Sequence, residues 1–135
     1  MTAKEYLDRI RLLEKRISAM KMRSEEYDRL SLSIPGQDFT RERVDHTPSY
    51  EAPFVKWIMK KHDIDMEISK LEAKLKDMQA EALLKIEELP NEDFKNVLVL
   101  RYLKYMKWEE ICESLFASRR TIMRWHESAL ELLKI

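Results

Sequence analysis

The chain has 135 residues with 25 basic and 25 acidic side chains, so its formal net charge is zero and bulk charge selects no partner. One glycine and four prolines exclude most sandwich and α/β folds, which need glycine at positive-φ turns. A composition of 37% charged and 44% hydrophobic residues favours long helices rich in Leu, Lys, Glu, Met and Arg.

The first predicted element runs from about Thr2 to Ile34. Tyr6, Ile10, Leu13, Ile17, Met20, Ser24 and Tyr27 recur at spacings of 4, 3, 4, 3, 4 and 3, a heptad seam with one polar break at Ser24. Thr2 is the expected N-cap, with Glu5 completing a capping box. "PGQDFTRERVDHTPSYEA" then ends the helix. Pro35-Gly36 and Pro48 are breakers, and a polar connection is expected over about 35–52.

A second helix is expected from Pro53, since proline is tolerated in a first turn. Its seam is Phe54, Trp57, Lys61, Ile64, Ile68, Leu71, Leu75, Met78, Ala82, Lys85 and Leu89. At 1.5 Å per residue it extends about 50 Å. Two heptad helices on a polar loop form a hairpin within one chain or pair with a second copy as a homodimer. The polar breaks at Ser24, Lys61 and Lys85 are expected to set the register.

Pro90 interrupts the second helix and Asn91 is a good N-cap for the next. Phe94, Val97, Leu98 and Arg101-Tyr102 mark a first short helix, and "LKYMK" a turn. "WEEICESLF" forms a second helix with Trp108, Ile111, Cys112 and Leu115 inward. Ser118 caps a third, with Ile122, Trp125 or Ala129, Leu130 and Leu133 inward. The expected organisation is all-α: a helical hairpin or coiled-coil arm over 1–89, and a compact three-helix unit over 90–135.

Candidate chemistry elsewhere is sparse. Cys112 stands alone, which excludes an intrachain disulfide and a multi-cysteine zinc site; it reads as a small core residue. His46, His62 and His126 lack metal-ligand spacing, and His126 reads as a helix-surface or phosphate-facing residue. Phosphate loops, nucleophile elbows and paired-carboxylate motifs are absent from the sequence, so neither an enzyme nor a cofactor is expected. The opening "MTAKEYLDRI" has no apolar run behind it and no stretch approaches 18 apolar residues. The expectation is a cytoplasmic protein without a membrane segment.

From Leu89 onward the chain resembles region 4 of sigma-70-type transcription factors. "LP", "VLVLRY", "WEEICESL" and "SRRTIMRWHESALELL" follow in that family's order. "RYLKYMKWEEICESLFASRRTIMRWHESAL" is also similar to the C-terminal signature of the small ArpU- and RinA-type phage proteins of Gram-positive bacteria. The opening "EYLDRIRLLEKRI" and the polar loop before a second long helix look like theirs too. The resemblance implies a helix-turn-helix that reads double-stranded DNA, a role in transcription regulation, a prophage-encoded protein in a bacterial host cell, and contact with RNA polymerase. Two positions depart from the pattern: Tyr105 stands where glycine is usual in the first turn, and Lys107 where Ser or Thr would cap the second helix.

Such a module lays its third helix in the major groove with the N-terminal residues toward base edges. Arg120, Met123 and Arg124 are the expected base-contacting residues, with arginine bonding guanine and methionine touching a thymine methyl. Ser118, Arg119, Thr121, Arg101, Lys104 and Lys107 are the expected phosphate contacts, which position without specifying. From Pro90 to Ile135 eight basic residues face seven acidic ones. Binding by one copy is therefore expected to be modest and salt-sensitive, with dimerisation or polymerase adding to it. A small terminase-like DNA-packaging subunit and a coiled-coil protein-protein adaptor are the alternative readings.

Overall fold

The structure is a computed structural model that describes residues 1–32 and 53–135. The polar connection expected over about 35–52, and His46 with it, lies outside the described residues. Five α-helices account for nearly all the rest: α1 (Ala3–Leu32), α2 (Pro53–Glu87), α3 (Glu92–Leu98), α4 (Trp108–Leu115) and α5 (Arg119–Leu132). A π-helical turn, Val99–Leu103, continues α3. The chain is all-α, as composition and periodicity predict, and α1 packs on α2 as a hairpin.

The described residues divide into two compact units, Met1–Lys15 with Ala73–Ile135, and Arg16–Glu72. The 1–89 and 90–135 division of the sequence follows Pro90, whereas packing groups the start of α1 and the end of α2 with the three short helices.

In the unit Arg16–Glu72 the two helices run antiparallel. Ile17, Ile64 and Ile68 are buried at seam positions, and Tyr27 stacks on Trp57 with ring centroids 5.6 Å apart. Two predicted polar breaks meet here. Ser24 Oγ donates to Asp65, and Lys61 Nζ donates to Ser24 Oγ at 3.1 Å and to Asp65 at 2.8 Å. The hydrogen bond and charge of Lys61, with the Ser24 hydroxyl, hold the Asp65 carboxyl below its ordinary range. A buried polar group selects the pairing that satisfies it, so this layer opposes slippage of an otherwise apolar seam.

In the other unit, Thr2 Oγ1 accepts the Glu5 N–H at 3.1 Å, as its capping role requires. Tyr6, Leu7 and Ile10 of α1 join Ala82, Ile86 and Leu89 in one core with Leu98, Tyr102, Ala129 and Leu133. Leu7 and Ile86 are fully buried yet stand outside both heptad seams. The end of each long helix carries two apolar faces, one toward its partner helix and one toward the short helices. Lys85, at a seam position, is half-buried with Nζ 5.7 Å from the Tyr6 ring.

Asn91 caps α3 by accepting the Asp93 N–H at 2.7 Å. The π turn ends with Lys104 N–H on the Val99 carbonyl and Met106 N–H on that of Leu100. Between them Tyr105 takes φ 58°, the left-handed region where glycine costs least. The tyrosine is held there by its hydroxyl, which accepts from Gln79 Nε2 at 2.6 Å. α4 begins at Lys107, which has no capping side chain; Glu110 instead reaches back to the Lys107 N–H at 3.0 Å. Val97, Ile111 and Ile122 form a second core among α3, α4 and α5, enclosed by Trp108, Cys112, Leu115 and Trp125. The inward stripes expected for the short helices are therefore found, and Cys112 and Trp125 lie on the core side.

Candidate nucleic-acid interface

The connection between α4 and α5 is set by local chemistry. Phe116 takes φ 52°, and its N–H and that of Ala117 return to the last carbonyls of α4. Ser118 then starts α5. Its hydroxyl accepts the Thr121 N–H at 3.2 Å and donates to Thr121 Oγ1 at 3.0 Å. A serine N-cap fixes where the helix begins, and hence which residues occupy its first turn.

Arg119 and Arg120 fill that turn, which holds no acidic residue. Arg120 and Arg124 are both exposed, and four residues apart they share a face. Among the described residues no carboxylate lies within ion-pair distance of either. Met123 borders the same face and is half-buried. Arg119 is exposed as well and sits 3.6 Å from Glu109 of α4. That pair is open to solvent on both sides and holds its partners weakly.

The expected phosphate contacts separate into two groups. Ser118, Lys104 and Lys107 are exposed, the first at the start of α5 and the lysines on the segment before α4. Arg101 is placed inward. Its guanidinium lies 4.3 Å from the Trp108 ring centroid and donates to the Met106 carbonyl at 3.0 Å. Burial, reinforced by Arg11, lowers its pKa. Arg101 thus braces the turn after α3 against α4. Thr121 is half-buried and spends its hydroxyl on Ser118.

His126 corrects its sequence reading as a surface or phosphate-facing residue. It is buried, stacks on Tyr102 with centroids 5.7 Å apart, and meets Trp108 edge-on at 4.9 Å. Its Nε2 shares a hydrogen bond with Tyr102 Oη at 2.8 Å. Desolvation, with the positive charges of Arg101 and Lys4, drives its pKa down to about 4, against a small opposing pull from Asp8. Burial pushes the Tyr102 phenol up to about 12. Both groups are therefore neutral at pH 7. The sequence signal for this pair was the i, i+4 step from Ile122 to His126, which places the histidine on the buried stripe of α5.

Among the described residues no group of three or more His, Cys, Asp or Glu side chains is arranged to hold a metal ion. No helix there is long and apolar enough to cross a membrane.

Neither the curated proteins nor the solved structures gave a match to the chain. Residues 49–134 match a protein family, and that span takes in α2, the three short helices and the arginine-bearing face of α5. The chain belongs to the family described as "Protein of unknown function (DUF1492)".

Proposed function

We propose that this protein is a sequence-specific double-stranded DNA-binding transcriptional regulator of phage type. In this reading α4, the Phe116–Ser118 turn and α5 act as a sigma region 4-like helix-turn-helix, with α5 as the recognition helix in the major groove. The carrying observation is the exposed Arg120 and Arg124 pair on one face of α5, free of carboxylate partners among the described residues. Arginine in a helix's first turn opposes the macrodipole, by about 0.3–1 kcal/mol per exposed charge. Stability alone favours Asp or Glu at Arg119 and Arg120. A polyanion turns the same charges into attraction, and guanine O6 and N7 match the arginine fork.

Arg119 leaves Glu109 for a phosphate at little cost, because an exposed pair contributes little. Lys104 and Lys107 supply further phosphate contacts. Arg101 serves the fold, so its expected phosphate role passes to these neighbours. The near balance of charge in 90–135 leaves affinity to be raised by self-association or by RNA polymerase, and the α1–α2 hairpin is the surface for either.

The test is selection of a random duplex pool by the wild-type protein and by Arg120→Ala/Arg124→Ala. Enrichment of one motif by the wild type alone, with equal helical circular dichroism, supports the reading. No enrichment by the wild type at low salt overturns it in favour of an adaptor. A ring of eight or more subunits by light scattering points to DNA packaging instead.

A further inference from the structure

Phe116 is 95% exposed, the most exposed large apolar side chain among the described residues. It also occupies the left-handed region at φ 52°. Neither property helps the free protein: the ring is in water, and glycine takes this backbone shape without a Cβ clash. Among the described residues the phenylalanine ring therefore adds no packing to the fold. Phe116 stands two residues before the Ser118 cap, so its Cα lies within about 7 Å of the cap and about 11 Å of Arg119, the first residue of the arginine face's helix. The adjoining first turn of α5 carries Arg119 and Arg120 and no acid, which selects an anionic partner over an apolar protein groove.

Building on the DNA-binding reading, we infer that Phe116 is a specificity residue that covers a thymine C5-methyl at the edge of the site contacted by α5. The major groove offers one apolar group among its donors and acceptors, the thymine methyl, and phenylalanine is among the side chains that meet it. The left-handed turn projects the ring clear of both protein cores, where it reaches a base edge without unfolding either helix.

The experiment uses the full-length protein and the duplex enriched by the wild type. Each thymine is replaced in turn by deoxyuridine, which lacks only the methyl group. The wild type loses about fourfold in affinity at one position, the equivalent of one methyl returned to water. Phe116→Gly, which keeps the turn geometry, binds the parent duplex correspondingly less tightly and shows no loss at that position. Equal losses in both proteins, undiminished affinity of Phe116→Gly, or an enriched motif without thymine overturns the inference while leaving DNA binding in place. Failure of the wild type to retain any duplex removes the parent reading instead. Retention of polymerase, and not of DNA, lost in Phe116→Gly also overturns it and makes the ring a protein contact.

Discussion

Tyr102 Oη and His126 Nε2 lie 2.8 Å apart inside the C-terminal helices, with the two rings stacked at 22°. The bond joins the π turn after α3 to the middle of α5, and Trp108 of α4 closes the remaining side. The π turn, α4 and α5 thus each contribute one ring, Tyr102, Trp108 and His126, to a single cluster.

This contact makes the fold acid-sensitive. His126 falls from an ordinary value near 6.5 to about 4, so the folded state favours the neutral ring. Its contribution is complete above pH 6.5 and is lost as pH falls toward 4, because the unfolded chain takes up the proton first. The full difference is roughly 3 kcal/mol. Urea titrations from pH 7 to 4 are expected to show a steeper decline for the wild type than for His126→Gln.

Removing the partner instead strands the ring. Tyr102→Phe keeps the volume and leaves Nε2 of a buried histidine without its hydrogen bond. The expected cost is about 1–3 kcal/mol at pH 7, read from the denaturant midpoint at unchanged slope.

Leu7 and Leu12 lie five residues apart on α1, on different faces, and have opposite environments, fully buried and 64% exposed. Leu7→Ala opens a cavity in the core shared with Ile86 and Leu98 and is expected to cost about 2–5 kcal/mol. Leu12→Ala is expected to stay within about 0.5 kcal/mol. Thermal unfolding of the two variants separates them.

The two left-handed residues are predicted to respond differently to glycine. Phe116→Gly removes a Cβ clash and no packing, offset partly by a more flexible unfolded chain, for a gain of roughly 0.5–1 kcal/mol. Tyr105→Gly also deletes the hydroxyl that accepts from Gln79 and is expected to destabilise. Melting temperatures moving in opposite directions check the pair.

The α5 arginines are predicted to differ in kind. Arg120→Ala is expected to relax specificity at one base pair, at a cost of about 1–3 kcal/mol. Arg119→Ala is expected to weaken all duplexes alike and to reduce the salt slope by about 1. Binding to matched and mismatched duplexes at several salt concentrations distinguishes the two.

Much of this architecture is written in local pattern. The 3–4 spacing from Tyr6 to Tyr27 and along α2 specifies two amphipathic helices by itself, because side chains at those intervals share a face wherever the helix lies. Thr2, Asn91 and Ser118 announce helix starts for the same reason: a cap bonds N–H groups two or three residues away. The exposed arginine face follows from Ser118 and the buried stripe of Ile122, Ala129 and Leu133. Tertiary packing alone decided the rest. Leu7 and Ile86 are core residues because the ends of α1 and α2 meet α3, the π turn and α5, partners distant in the chain. Arg101 turned from solvent onto Trp108, and His126 from the surface onto Tyr102. A polar side chain on an amphipathic helix can be solvated or bonded internally, and only the neighbour it meets determines which.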